Sequence, residues 1–562
     1  MTGKALQSVK TKGVGFAPIL MHFFDKAGIA EIIDDNVPLD PRRKILTHGE
    51  AAVAMITGIL FQVTQLYKMC QFADETTVLE VILPRISADQ YFDDKLADTL
   101  DAIFRHGIGD LELLVTKNMI GQFDIESPLC HNDTTSVSVF GNYGTGQTGD
   151  SIKITFGHSK KHREDLKQFV WSLSVSSDSG FPLFQKAYSG NTADVDTYVE
   201  QWRNLIDLLG HKDFLYVADS KLATHENMAH IHDNDGFFIA PLPMYESYKK
   251  VFHDALAEHG REILIPYKGR FNRGFEVPVS FEHEGETYTF RMIILFDHGV
   301  AARKRHTLEN RIEKTRTAFD ELNGKLNKYN LKSKEAIDGA CLAILKKWQT
   351  VGFFEYEIRN DPVTSHKNKK RGRPGKNAEK VAVTKDCFSV AAELDEQAFD
   401  EELWRCGWYP LVTNMSEEAL SVESAMIAHK DQYKSEHLHR RAKSGFRIEP
   451  VYLHTPGRIE AFLLLFKIAL QLLVLVERAC RKGISERDRG LDNFMPNRKD
   501  VRNPRTENLL AAFQYVVSGE VVLANGKSHG FVSELTELQN DILLLLDVPP
   551  KYFTYEFLFD SG

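Results

Sequence analysis

The sequence predicts a mixed α/β protein with a mainly helical N-terminal region and a sheet core interrupted by a long insertion. Three observations support this. Helical periodicity dominates up to about residue 120; short apolar-rich or alternating segments separated by Gly, Ser and Asp turns follow from 126 to 190; and between about 245 and 400 that pattern breaks before an α/β piece resumes.

Taken in order, Thr47 and Glu50 have capping-box spacing just before the apolar run Ala51–Tyr67. Leu96 to Thr116 predicts a helix with Leu100, Ile103, Phe104, Ile108 and Leu111 on one face. Strands are predicted at Ser136–Phe140, Ile152–Phe156, Phe169–Val175 and Pro182–Ala187, then an amphipathic helix at Asp194–Gly210. Phe214–Ala218 is a continuous apolar run of buried-strand length, and a helix and the strand Phe237–Ala240 follow. In the insertion, strand-like pieces (Glu262–Pro266, Thr287–Leu295) flank helices at Ala301–Lys328 and Ser333–Gln349. The closing elements are the strand Pro410–Thr413, one helix over 422–444, a helix from Pro456 to Arg481, and a partly basic tail with a helix near Thr506–Val517. The expected domains are 1–120 (helical; DNA-end binding or dimerisation), 121–244 with 401–482 (sheet core), 245–400 (insertion with basic loop 367–380) and 483–562 (tail).

A chain of 562 residues exceeds one compact core. Six cysteines without a C-x-x-C pair argue against a disulfide framework or a thiolate zinc site. The first twenty residues lack a signal-peptide pattern, so a cytoplasmic, nucleoid-associated protein is expected. The apolar stretches Ala51–Tyr67 and Ala461–Glu477 are short for a bilayer and carry Gln62, Gln65, Lys467 and Gln471, so they are expected to be core helices rather than membrane spans. A net charge of −9 excludes a uniformly basic nucleic-acid coat but not a local basic groove.

The candidate chemistry lies in three carboxylates. Asp133 stands in Cys130-His-Asn-Asp-Thr-Thr-Ser136, and Asp219 closes the apolar strand of Phe214-Leu-Tyr-Val-Ala-Asp-Ser220. Aspartate is depleted in strands, and clustered carboxylates repel unless a cation neutralises them; hard oxygen ligands suit Mg²⁺ or Mn²⁺. On a continuous helix, His429, Gln432, Glu436, Arg440 and Lys443 fall in one stripe, so a third carboxylate is flanked by polar and cationic groups. The interval from Asp219 to Glu436 is far longer than that from Asp133 to Asp219, as an inserted domain requires.

These residues sit among Gly157-His-Ser-Lys-Lys-His-Arg-Glu-Asp-Leu-Lys-Gln168, Gly180-Phe-Pro-Leu-Phe184, Gly190-Asn-Thr-Ala-Asp-Val-Asp-Thr197, and Val217-Ala-Asp-Ser220 with Glu226-Asn227. In that order and spacing they resemble DDE-type insertion-sequence transposases of the insertion-sequence-four superfamily, most closely its insertion-sequence-sixteen-thirty-four family. The likeness resumes at Thr413–Asn414 and Glu436–Tyr452. It implies an RNase H-like core with two aspartates on adjacent strands and the glutamate on a late helix. The superfamily's Y-x2-R-x3-E-x6-K motif is matched at Glu436 and Lys443, whereas its Tyr and Arg positions hold His429 and Gln432.

The resemblance therefore implies Asp133, Asp219 and Glu436 as catalytic metal ligands holding two Mg²⁺ or Mn²⁺ ions. Expected DNA contacts are Lys443, Arg440, Lys167, His429 and Gln432, with Arg371 and Arg373 of an Arg-Gly-Arg-Pro loop. The partners implied are double-stranded DNA at transposon ends and target, with a homodimer on paired ends and no membrane. A DNA-binding relative that does not cut, and a stand-alone RNase H-like nuclease, are the alternatives.

Overall fold

The computed structural model describes residues 6–41, 45–141, 143, 151–157, 163–193, 197–259, 264–267, 270–328, 330–368, 380–496 and 498–559. The chain divides into two units: Met1–Met244 with Pro278–Arg291 and Val412–Gly562, and Tyr245–Val277 with Met292–Leu411.

In the first unit, the N-terminal region is helical as expected. The Thr47 side chain accepts the Glu50 N–H, and the Glu50 carboxylate accepts the Thr47 N–H, so the capping box is closed at the start of the helix His48–Leu60. The single helix expected over 96–116 is instead two, Asp93–His106 and Ile108–Phe123 (α1), because Gly107 takes φ +116°, a conformation closed to most side chains. The tail also departs from expectation. A helix covers only Thr506–Ala511, and Val517–Leu523 forms a strand, pairing antiparallel with Leu6–Gly13 and with Ser528–Val532. The two ends of the chain therefore meet in one small sheet.

The main sheet of this unit is built from Leu129–Val139 (β1), Lys167–Ser176 (β2), Pro182–Ser189 (β3), Leu215–Val217 (β4), Phe237–Pro241 (β5) and Trp408–Thr413 (β6), in the spatial order 3-2-1-4-5-6. β1, β2 and β3 pair antiparallel, whereas β4 is parallel to both β1 and β5. The expected strand at Ile152–Phe156 is absent: only Thr155 bridges to Gln168, since beyond that residue both edges of β2 are taken by β1 and β3. Crossover helices are Tyr198–Leu209 (α2) and His225–Asp233 (α3), the second capped by the Thr224 hydroxyl.

The helix expected over 422–444 is broken. It is observed as Val422–Lys430 (α4), Tyr433–Arg440 (α5) and a π-helical turn at Arg441–Gly445. At the break, the N–H groups of Gln432, Lys434 and Ser435 bond three residues back, and the ammonium of Lys434 bonds to the Asp431 carboxylate and the Ser177 carbonyl. That tighter turn rotates everything after it, so the five-residue stripe drawn on a continuous helix does not exist as such.

Pro456–Arg487 (α6) is long and apolar enough to cross a membrane, yet its most apolar window is 94% buried within the protein. Each fully buried Leu or Phe on it contributes roughly 1.5–3 kcal/mol. Its polar interruptions are partnered internally: Lys467 bonds to Thr116 of α1 and lies 3.3 Å from Glu112, and Gln471 donates to the carbonyl of Pro182 on β3.

The second unit contains the helices Glu246–His259, His298–Lys325, Lys334–Trp348 and Glu396–Arg405. Ile312, Phe319, Ile337, Leu345, Phe354 and Val390 form its core. Phe354–Asn360 pairs with Phe388–Leu394 and Val363–Asn368 with Lys380–Lys385, all antiparallel in one unshifted register. Arg371 and Arg373, between those strands in sequence, lie outside the described residues. The strand Arg270–His283, unforeseen in the sequence, leaves this unit at Pro278 and turns into Glu286–Phe296 at Glu284 and Gly285 within the first unit, both with positive φ, as tight hairpins require.

Candidate active site

β1 is buried on both faces although it reads His-Asn-Asp-Thr-Thr-Ser. Its alternation explains how. Asn132 points to one face, where its side-chain oxygen accepts from the hydroxyls of Ser172 and Ser174 at 3.0 and 2.9 Å. His131, Asp133 and Thr135 point to the other, against the α5 side.

The parallel register brings the two aspartates together. Leu129, Cys130 and His131 pair with Leu215, Tyr216 and Val217; two residues further along the chain come Asp133, still in β1, and Asp219, just past the end of β4. Continued in that register, the two aspartates would fall on one face at the strand spacing of about 4.8 Å. Asp133 Oδ1 accepts the Thr134 N–H at 2.8 Å. Asp219 Oδ1 accepts the Tyr198 hydroxyl at 2.6 Å and the Lys221 N–H at 2.9 Å. Both side chains stay partly exposed.

α5 and the π turn that follows it each pack on β1 through one residue. His439, buried against the edge of Trp171, has Nε2 3.3 Å from the Asp133 carbonyl and 4.0 Å from its carboxylate. Lys443 Nζ donates to Thr135 Oγ1 at 2.5 Å and to the Ser136 carbonyl at 2.7 Å. Glu436 is exposed one turn before His439 on the same side of the helix.

Other expected residues are distributed differently. Gln432 lies at the break, where its carbonyl accepts the Ser435 hydroxyl. His429 stands in the last turn of α4 and is among the groups acting on His131. Arg440 is exposed and turns toward a separate cavity. Lys167 pairs with Val139, six positions along β1 from Asp133, or about 20 Å at strand rise, and its ammonium donates to the Tyr143 carbonyl. Within the glycine-flanked segments that carry the resemblance, 158–162 and 194–196 lie outside the described residues.

Three contributors were not singled out from sequence: His439, Tyr198 and His131. His439 carried a usable signal, standing one turn after Glu436. His131 is fully buried with neither ring nitrogen hydrogen-bonded, and burial, reinforced by Lys434, pushes it down to about 3, so it is a neutral imidazole. Tyr198 is wholly buried, and only the fold shows that its hydroxyl reaches Asp219.

The donor set fits a hard divalent cation, since Mg²⁺ is usually held by one or two carboxylates completed by water and substrate phosphate. Among the described residues no group of three or more His, Cys, Asp or Glu side chains is gathered tightly enough to hold a metal, so Glu436 is not drawn in with the aspartates here.

Residues 132–472 match the family model described as "Transposase DDE domain", and residues 9–115 match one described as "Domain of unknown function (DUF4277)". No curated protein matches the chain. Among solved structures, a cryo-EM structure of a piggyBac transposase synaptic complex with hairpin DNA aligns over 90% of this chain and 83% of that one, at 8% identity and a TM-score of 0.37.

Proposed function

The chain belongs to the transposase DDE-domain family, whose model spans more than half its length, and from that premise we propose that Asp133, Asp219 and Glu436 are the ligands through which this DNA transposase cuts and joins DNA. The observation that carries the reading is the parallel pairing of β1 with β4, which leaves Asp133 and Asp219 each two residues past the last paired position. The 3-2-1-4-5 strand order supports an RNase H-like core.

Mg²⁺ or Mn²⁺, two ions per site, would be held by the aspartates and would supply Lewis-acid activation of the attacking and leaving oxygens in an in-line displacement at phosphorus. The residues around them keep the carboxylates aimed. Tyr198 and the Lys221 N–H fix one oxygen of Asp219, and His439 braces β1 at Asp133. Glu436, on a helix already seated on β1, is recruited by side-chain rotation. Lys443 anchors that helix and, with Arg440, offers positive charge to backbone phosphates. Water attack exposes a 3′-OH, and the same pocket then directs that hydroxyl at target DNA. On the same reading the enzyme belongs with the insertion-sequence-four superfamily, recognises terminal inverted repeats as a homodimer on paired ends, and works at the nucleoid.

The test is nicking and joining of a supercoiled plasmid bearing the element's own ends, with Mn²⁺. Asp133→Asn, Asp219→Asn and Glu436→Gln are each expected to abolish cleavage while retaining end binding. If all three variants still cut and join, the site is elsewhere.

A further inference from the structure

On the other side of α5 from β1 lies a cavity of about 320 Å³, lined by Tyr433 and Arg440 of α5, Arg441 of the π turn, Arg481 of α6, Arg505, and Gly180 of the turn between β2 and β3. We infer that this cavity is a cradle for a backbone phosphate of duplex DNA, a second grip beside the catalytic carboxylates.

The charges around it are unevenly satisfied. Arg441 is spent on Glu477 and Glu507, in a buried cluster that ties the π turn to α6. Burial alone would raise the Glu477 carboxyl, but Arg441 and Arg481 outweigh it and hold the group below its ordinary range, so its negative charge is already consumed. Arg481 reaches Glu477 with one terminal nitrogen at 2.7 Å, while its Nε is buried without a hydrogen-bond partner. Among the described residues, no acidic side chain pairs with Arg440 or Arg505. Three incompletely neutralised guanidinium groups thus surround one concavity on a chain whose net charge is −9. Such groups present forked N–H donors matched to phosphate oxygens.

Position makes the ligand DNA rather than any anion. At about 100° per residue, Tyr433 and Arg440 fall about 20° apart on α5, with Glu436 about 40° beyond Arg440 and His439 about 60° further round, so the cavity's rim adjoins the face that carries Glu436. A helix with its side chains is about 10–12 Å across, so a strand rising about 3.4 Å per phosphate spans it in roughly three nucleotides. Arg440, at the margin of both faces, would be touched on the way. The claim depends on the catalytic reading only for where the cleaved bond sits; phosphate binding can be tested without it.

The test is fluorescence anisotropy of the full chain with a labelled duplex of arbitrary sequence, titrated with salt. The Arg440→Gln/Arg505→Gln double variant is expected to flatten the dependence of log affinity on log salt by about one to two, at roughly 0.9 per lost phosphate contact. Arg163→Ala, removing an exposed arginine paired to Asp165, is expected to leave it unchanged. A thermal melt of each variant keeps a folding defect from imitating the effect; if the double variant melts early, Arg505→Lys, which keeps the charge, must restore the slope. A wild-type slope in a folded double variant overturns the cradle, even where Asp133→Asn still abolishes cleavage. A flattened slope alongside an Asp133→Asn protein that still cuts overturns the catalytic assignment and leaves the cradle standing. If inorganic phosphate raises the melting temperature of wild type but not of the double variant while the duplex slope is unmoved, the ligand is a free anion and the proposal fails.

Discussion

Two carboxylate sites in the same unit are neutralised in opposite ways. Glu112 of α1 is wholly buried; one oxygen accepts the Gln185 N–H at 2.8 Å, and the ammonium of Lys467, equally buried, stands 3.3 Å from the same oxygen. Burial pushes the Glu112 carboxyl up and the Lys467 ammonium down. Asp133 and Asp219 stay partly exposed; Asp133 accepts the Thr134 N–H and has a carboxylate oxygen 4.0 Å from His439, and Asp219 accepts the Tyr198 hydroxyl and the Lys221 N–H. The Glu112 charge is met by a cation carried in the chain, whereas on the reading proposed above Asp133 and Asp219 would share a divalent cation.

The largest effect that would break this contrast is on catalysis. If the aspartates serve a cation, Asp219→Asn lowers plasmid nicking by about 10³-fold or more, on the order of 4 kcal/mol of transition-state stabilisation, without lowering the melting temperature. A melt that falls along with the rate makes Asp219 a structural residue like Glu112. The buried pair behaves in reverse. Lys467→Met alone costs about 3–5 kcal/mol in urea unfolding because it strands Glu112, and Glu112→Gln added to it restores most of the loss. Equal losses in the single and double variants would mean that packing, not charge, dominates there.

A smaller effect comes through pH. The folded Glu112 binds its proton more tightly than the unfolded chain does, so its contribution is present below its ordinary value of 4.5 and is lost as pH rises above it. Lys467 is depressed, so stability recovers as pH climbs toward the ordinary lysine value of 10.5. Urea unfolding across this range is expected to show both slopes, and Glu112→Gln/Lys467→Met to remove them. The smallest effect is that of Tyr198→Phe, which deletes one hydrogen bond to Asp219. About tenfold slower nicking is expected, with a stability change on the order of 1 kcal/mol. A rate equal to wild type would show that Asp219 needs no such support.

The sequence alone determined what depends on neighbours a few residues away. An aspartate closing a buried apolar strand, a Thr-x-x-Glu cap and a long helix with two buried polar residues are all legible, because propensity, alternation and capping act within one or two turns. For Glu436 the stripe assumed an unbroken helix, while Asp431 and Lys434 close a tighter turn whose anchor, the carbonyl of Ser177, comes from the residue after β2. Likewise, the helix expected near Thr506–Val517 stops at Ala511, and the strand Val517–Leu523 that follows pairs with Leu6–Gly13, remote along the chain. Only the tertiary structure could set the register of Asp133 beside Asp219, pair Glu112 with Lys467, or leave Arg440 and Arg505 facing one cavity. Each of these is a contact between segments remote along the chain, and such contacts are fixed by packing and desolvation over the whole fold rather than by any local pattern.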